Sequence, residues 1–175
     1  VRLSVIPEKG APARVYNRDA LKRAGMTAQK ADAAIDAFAL PEGAPPEGGV
    51  WVLNRTPSVD LPIITVVTLV EAPGGGTVRL VGDLLPASLF DLFRFEGATQ
   101  IYLLDAQRNM LADADAQRMT DRKADSNLVA ALAKQQGSNG TFEFELENKE
   151  KQLGTWAAVG IGDAIVVAHT PERVA

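Results

Sequence analysis

Residues 62–81 read PIITVVTLVEAPGGGTVRLV, and this stretch decides the fold class. Its first part, residues 62–70, is nearly continuously apolar and rich in β-branched residues, which is typical of a central strand. Three glycines at 74–76 provide a turn, and residues 77–81 then alternate apolar and polar side chains. The stretch therefore predicts an antiparallel hairpin inside a larger sheet.

Further strands are predicted on both sides of this hairpin, at residues 50–53, 99–105, 110–112, 140–146, 152–161 and 164–170. Most of them are joined by tight turns such as Gly162-Asp163, and tight turns connect antiparallel neighbours. Helices are predicted over residues 84–93 and after Asp125 or Ser126, with the polar stretch 113–125 as a loop. The fold class is therefore α+β, with an antiparallel sheet of five to six strands flanked by helices.

The N-terminal part of the sequence predicts short helices. Asn17 is a suitable cap for a helix over residues 19–24, and Thr27 is a suitable cap for a second helix over residues 28–39. Residues 1–13 contain two prolines and a glycine and predict a short extended segment at most.

The proline- and glycine-rich segment PEGAPPEGG, residues 41–49, is the best candidate for a linker. We therefore expect an N-terminal extension over residues 1–48, which includes most of this linker. The sheet domain follows over residues 49–171, and residues 172–175 begin a C-terminal connection.

Composition excludes several kinds of chemistry. The chain has no cysteine and a single histidine, His169, which excludes thiolate sites and sites built from several histidines. With 18 basic and 22 acidic residues the net charge is -4, which argues against nucleic acid as the main partner. No nucleophile and base stand in a recognisable pattern, so we expect a non-catalytic protein without cofactor or metal. No apolar run has the roughly 18 residues that cross a bilayer.

From about residue 50 to 171 the sequence resembles the Cache domain, a PAS-like sensor of bacterial membrane receptors. Four stretches carry this resemblance: the hairpin and following segment of residues 62–93, GATQIYLLDAQRNMLADAD at 97–115, Gly140-Thr141-Phe142, and GTWAAVGIGDAIVVAHTP at 154–171. Their order and spacing together are more specific than any one of them alone.

The resemblance implies an extracytoplasmic, periplasmic ligand-sensing domain of an inner-membrane signalling protein. Its output domain would be a histidine kinase, nucleotide cyclase, phosphatase or chemoreceptor, and the parent receptor would be a homodimer. The ligand would be a small molecule, such as an amino acid or a carboxylate, and residues 172–175 would begin the connection to a membrane helix. The family's long N-terminal helix has no counterpart here, so residues 1–48 would be a reduced membrane-distal module.

Four residues are candidates for ligand binding: Trp51, Arg55, Tyr102 and Asp105. A guanidinium at Arg55 suits a carboxylate because its fork matches a planar anion, whereas the alternative is a solvated loop arginine. Tyr102 would present its hydroxyl to a pocket or fill the core, and Asp105 would bind ligand or begin a turn. Trp51 would be a binding platform or a core residue. Asp83 is interpreted as the cap of the helix that follows it.

Two other functions remain open on the sequence. The first is a PAS-like module for protein interaction or dimerisation that has no small-molecule ligand. The second is a cytoplasmic, profilin-like or roadblock-like scaffold.

Overall fold

Ten strands form two antiparallel sheets in the computed structural model, which describes residues 1–43, 49–56, 62–73, 75–85, 92–93, 97–121 and 123–174. The N-terminal sheet has the order β2-β1-β5-β4-β3. Its strands are β1 (Arg2–Pro7), β2 (Ala13–Tyr16), β3 (Val50–Asn54), β4 (Ile64–Glu71) and β5 (Thr77–Leu84). Helices α1 (Arg18–Arg23) and α2 (Ala28–Asp36) lie between β2 and β3 in the chain.

The C-terminal sheet repeats this plan, with the order β7-β6-β10-β9-β8. Its strands are β6 (Gln100–Leu104), β7 (Met110–Asp113), β8 (Asn139–Glu145), β9 (Lys151–Ala158) and β10 (Ile165–Pro171). Helices α3 (Ala116–Asp121) and α4 (Ser126–Leu132) again follow the second strand, and a 3-10 turn (Glu172–Val174) ends the described chain. Each sheet is therefore a hairpin, two helices and a three-stranded meander, with the first strand beside the last.

The antiparallel α+β class and the hairpin of β4 and β5 are confirmed, but the expectation of one sheet from residue 50 onward is wrong. Strand β5 pairs with β1 on one side and with β4 on the other. Strand β1, whose side chains alternate between the two faces of the sheet, is the neighbour of β5 in the N-terminal sheet. Strands from residues 1–48 and from 50–84 therefore share a sheet, and the two sheets divide between residues 84 and 100. The three-part domain division itself stays a prediction.

The predicted helix starts agree with the structure where it describes them. The Asn17 side chain accepts a hydrogen bond from the Ala20 amide at 3.0 Å, and Thr27 Oγ1 accepts one from the Lys30 amide at 3.3 Å. The polar stretch predicted as a loop contains α3, a short helix that packs on β7. Most of the helix predicted over residues 84–93 lies outside the described residues.

Contacts between β3 and the C-terminal sheet join the two sheets. Asn54 Nδ2 donates to the carbonyls of Met110 and Met119, at 2.6 and 2.7 Å. Val52 and Ile64 belong to the apolar core of the C-terminal sheet although their strands lie in the N-terminal sheet. None of the described helices has the length and apolar character needed to cross a membrane.

Candidate functional site

The face of the N-terminal sheet that α2 covers, here called the inner face, holds a buried group of charged side chains. Strand register sets Arg2 opposite Asp83, and Asp83 opposite Thr65. Arg2 Nε donates to Asp83 Oδ2 at 2.7 Å, and Thr65 Oγ1 donates to Asp83 Oδ1 at 2.7 Å. Asp83 and Thr65 are completely buried, so these polar groups depend on one another rather than on water.

Helix α2 supplies two further carboxylates to this group. Asp32 and Asp36 lie one helical turn apart, and each accepts a hydrogen bond from Arg2 Nη1 at 2.8 Å. Tyr16 donates its hydroxyl proton to Asp32 at 2.6 Å, and Arg14 Nη2 donates to Asp36 at 2.6 Å. Both carboxylates are partly exposed, so the group reaches from the buried sheet to the surface. We call this group, with Arg55, the charged cluster: Arg2, Arg14, Tyr16, Asp32, Asp36, Arg55, Thr65 and Asp83.

Arg55 follows β3 and is buried beside the end of α2. Its Nη2 donates to the carbonyls of Ile35 and Phe38, and its Nη1 lies 3.6 Å from Asp83 Oδ1. Its Nε has no hydrogen-bond partner among the described residues. Arg55 is therefore a buried part of the charged cluster, and the alternative of a solvated loop arginine is wrong.

The protonation equilibria of the charged cluster show how well each charge is compensated. Burial opposes the ionised form of Asp32, but hydrogen bonds from Tyr16 and Arg2 outweigh it and hold the pKa of Asp32 below its ordinary value. Burial also opposes the charge of Arg2, and its carboxylate partners raise its pKa instead. At Arg55 burial dominates and lowers the pKa, with Asp83 as a partial offset. Arg55 is therefore less well compensated than Arg2.

Two surface clefts adjoin Arg55. One, of about 380 Å³, lies between the two sheets and is lined by residues that include Phe38, Leu53, Arg55 and Asp105. The other, of about 600 Å³, is more open and includes Asp36, Phe38, Arg55 and Arg79. Arg55 is a lining residue of both clefts.

The structure brings together two of the four predicted residues. Asp105 shares the smaller cleft with Arg55, but its carboxylate accepts hydrogen bonds from the Asn109 amide at 2.8 Å and from Asn109 Nδ2 at 2.9 Å. Burial raises the pKa of Asp105, and the bonds from Asn109 oppose that change. Asp105 therefore holds the turn between β6 and β7, which agrees with the alternative interpretation.

Trp51 and Tyr102 lie away from these clefts. Trp51 packs with Val67 and Val81 in the core of the N-terminal sheet. Tyr102 lies in the core of the C-terminal sheet, where its ring meets that of His169 edge to face at 5.7 Å between centroids. Burial, followed by the positive charge of Arg118, lowers the pKa of His169. These positions favour the core interpretation for Trp51 and Tyr102.

Sequence reasoning missed most of the charged cluster. The sequence predicts Asp83 as a helix cap, but its carboxylate accepts hydrogen bonds from Arg2 and Thr65 across the sheet. Alternation does not reveal Arg2 and Asp83, because most apolar residues of β1 and β5 fall on the other face of the sheet, at Leu3, Val5, Val78 and Leu80. The usable signal is in α2, where Asp32 and Asp36 stand four residues apart and therefore share one face of the helix.

The described residues contain no group of three histidine or acidic side chains placed to hold a metal ion. Among the acidic side chains of the C-terminal sheet, Asp113 accepts hydrogen bonds from the Asp115 amide and from Arg118. The charged cluster itself contains both cations and anions.

Comparison with solved structures finds the same fold in bacterial sensor domains. The ligand-binding domain of the amino acid chemoreceptor PctB of Pseudomonas aeruginosa, in complex with L-Arg, matches with a TM-score of 0.55 and 14% identity, over 100% of this chain and 67% of that one. The ligand-binding domain of the chemoreceptor CtaA of Pseudomonas fluorescens, in complex with L-leucine, matches with a TM-score of 0.53 and 11% identity, over 99% and 71%.

The extracellular domain of mmHK1S-Z2, described as a histidine kinase, matches with a TM-score of 0.54 and 12% identity, over 73% of this chain and 52% of that one. No protein-family model matches the sequence, and no curated protein matches it. The comparisons therefore show a fold shared with Cache-like sensor domains.

Proposed function

We propose that this chain is a non-catalytic sensor domain that binds an amino acid at the charged cluster. The observation that carries the proposal is Arg55, a buried guanidinium that adjoins two clefts and has a donor without a partner among the described residues. An incoming carboxylate would supply the negative charge that Asp83, at 3.6 Å, provides only in part. Asp36, at the edge of the larger cleft, offers an acceptor for the ligand's ammonium group.

The cost of the charged cluster also supports a role in binding. Buried ion pairs contribute little to stability compared with apolar packing, because desolvation offsets most of their attraction. A sheet that needed only stability would gain more from apolar side chains at Arg2, Arg55 and Asp83. A site for a charged ligand, in contrast, requires such groups to be held in place before the ligand arrives.

The shared fold extends the proposal to the cellular setting. The two chemoreceptor domains are described in complex with amino acids, and the histidine kinase domain is described as extracellular. We therefore propose an extracytoplasmic, periplasmic position within a membrane-anchored and dimeric signalling protein. The output would belong to another part of that protein.

Thermal denaturation with the proteinogenic amino acids and small carboxylates tests the proposed ligand. A true ligand at a hundred times its Kd should stabilise the fold by about 2.7 kcal/mol, seen as a rise of roughly 5–10 °C in Tm. Arg55→Lys keeps the charge but loses the fork, so it should lose most of this rise, whereas Arg173→Lys on the exposed C-terminal turn should retain it.

Asp36→Asn tests the contact with the ligand's ammonium group separately from the contact with its carboxylate. It should weaken the binding of amino acids and leave that of carboxylates without an amino group nearly unchanged. Each variant is compared with its own ligand-free Tm, because Arg55 also contacts α2. If no compound in the panel raises the Tm of the unmodified protein, the sensor proposal is wrong.

An interaction module without ligand is the second candidate, and the outer face of the N-terminal sheet favours it. Leu3, Val15 and Leu84 point away from the charged cluster and are 47%, 69% and 50% exposed. Exposed apolar patches on a sheet mark contacts with other proteins. Concentration-dependent dimerisation in sedimentation experiments, together with an unresponsive ligand panel, would support this candidate over the sensor.

A further inference from the structure

A second cavity lies in the C-terminal sheet, on elements separate from the charged cluster. Its volume is about 460 Å³, and it lies between strands β9 and β10, the end of α4 and the turn between β6 and β7. Its polar lining residues are Arg108, Gln135, Trp156 and Asp163. We call it the C-terminal cavity.

Trp156 is the first sign that the C-terminal cavity takes a ligand. The residue is 7% exposed, and its indole Nε1 has no hydrogen-bond partner among the described residues. A buried donor without an acceptor costs free energy, and buried donors in folded proteins are nearly always satisfied. The indole N–H therefore lacks an acceptor among the described residues, and a bound ligand would supply one.

Gly140 keeps the space beside this donor open. A Cβ on Gly140 would lie 3.2 Å from Trp156 Nε1 and 3.7 Å from Gln135 Oε1. Gln135 uses its Nε2 to donate to the Ala131 carbonyl at 3.3 Å, so its side chain is held across the helix end rather than bonded to the indole. Gln135 and Trp156 both line the cavity.

Arg108 adds positive charge to the lining of the cavity. It has φ 64, a left-handed conformation that is rare outside glycine, and it belongs to the β6–β7 turn. Among the described residues its guanidinium has one hydrogen bond, a long one of 3.5 Å from Nη1 to the Asp105 carbonyl. Most of its donors are therefore available to a ligand.

The remaining walls of the cavity are small and apolar. They consist of alanines, glycines and two larger aliphatic side chains, at Ala106, Leu132, Gly137, Ala158, Gly160, Gly162, Ala164 and Ile165. Such a lining accepts a short hydrocarbon body and offers no second positive charge. An unpaired indole donor, a guanidinium and an apolar wall in one cavity together suit a small organic anion.

From these features we propose that the C-terminal cavity is a second binding site, for a small carboxylate that accepts hydrogen bonds from Trp156 Nε1 and Arg108. Asp163 at the cavity rim repels such an anion, so the site is selective for ligands whose charge lies deep in the cavity. This site is separate in position from the charged cluster, because the two share no residue.

The indole N–H signal of Trp156 in a nitrogen–proton correlation spectrum tests the proposal directly. The chain has two tryptophans, so the indole region contains two signals, and Trp156→Phe assigns them. Acetate, propionate and lactate are the probes, with methylammonium chloride as the opposite charge at the same ionic strength. At millimolar concentration a carboxylate should shift the Trp156 signal downfield in a saturable manner and leave the Trp51 signal in place.

Charge variants test whether carboxylate binding depends on positive charge, and on which residue carries that charge. Arg108→Asn, where asparagine tolerates the left-handed backbone, should weaken the titration about tenfold. Lys149→Asn is the matched control, because Lys149 also has positive φ (70) and lies in the opposite hairpin, and it should change nothing. Asp163→Asn should tighten carboxylate binding.

Other outcomes overturn the proposal. They are an unmoved Trp156 signal with all three carboxylates, an equal shift with methylammonium, and an equal loss in Lys149→Asn and Arg108→Asn. Arg55→Lys serves to separate the two sites. It should leave the Trp156 titration intact even if the amino acid site at the charged cluster proves wrong.

Discussion

Asp83 illustrates how one side chain organises the inner face of the N-terminal sheet. Its two oxygens accept hydrogen bonds from Arg2 and Thr65, and Arg55 Nη1 lies 3.6 Å from Asp83 Oδ1. The residue is completely buried. Removing this carboxylate would leave buried donors without their acceptor, which costs more than the intact pair contributes.

Asp83→Asn should therefore lower the free energy of unfolding by about 3 kcal/mol, as measured by urea denaturation. Asp163→Asn is the control, because Asp163 lies in an exposed turn, and its loss should stay within about 0.5 kcal/mol. Equal stability of the two variants would mean that the pairing of Arg2 and Asp83 has no structural importance.

At the scale of an element, the packing of β8 on β9 depends on a single glycine. Phe142 lies opposite Gly154, and its ring covers the position where a side chain on Gly154 would begin. A Cβ there would lie 2.6 Å from Phe142 Cζ, well inside van der Waals contact. Gly154 thus makes room for the aromatic ring that closes the core of the C-terminal sheet.

Gly154→Ala should lower the free energy of unfolding by about 1–3 kcal/mol, because the ring must leave its place. Gly82→Ala is the matched control. Gly82 is also a strand glycine, but a Cβ there has nothing within 4 Å, so its replacement should not destabilise the protein. Phe142→Leu should remove much of the loss from Gly154→Ala. If it does not, the clash with the ring is not the cause.

At the scale of the whole molecule, the turn between β9 and β10 touches the N-terminal sheet. Gly162 lies against β3, and a Cβ there would approach the Val50 carbonyl oxygen within 2.4 Å. The hairpin that ends the C-terminal sheet therefore contacts the sheet that carries the charged cluster. This contact and the Asn54 hydrogen bonds to Met110 and Met119 are routes by which the two sheets influence each other.

Gly162→Ala should separate this hairpin from β3 and lower Tm more than Gly160→Ala does. Both glycines have positive φ, 52 and 77, so both variants carry the same kind of backbone cost. A Cβ at Gly160 meets nothing within 4 Å, so the difference between the variants reports the contact between the sheets. Faster amide exchange in β3 should accompany the change, and an equal Tm for both variants would contradict this role of the contact.

Local pattern accounts for the parts of the fold that the sequence predicted well. The β-branched run of β4, the glycine turn after it and the caps at Asn17 and Thr27 are decided by neighbouring residues, and the structure agrees with each of these elements. The same reasoning identified Arg55 as a candidate for carboxylate binding. It could not place the residue, because burial of Arg55 depends on α2 folding over it.

The sequence by itself determined the antiparallel α+β class, the absence of thiol chemistry and most strand and helix positions, because these follow from composition and short-range periodicity. Only the tertiary structure decided that β1 joins β5 and that the strands form two sheets. It also decided that Arg2 meets Asp83 across 81 positions of the chain. Pairing between distant segments depends on which surfaces can be buried together, and that competition is settled by the whole chain rather than by any stretch of it.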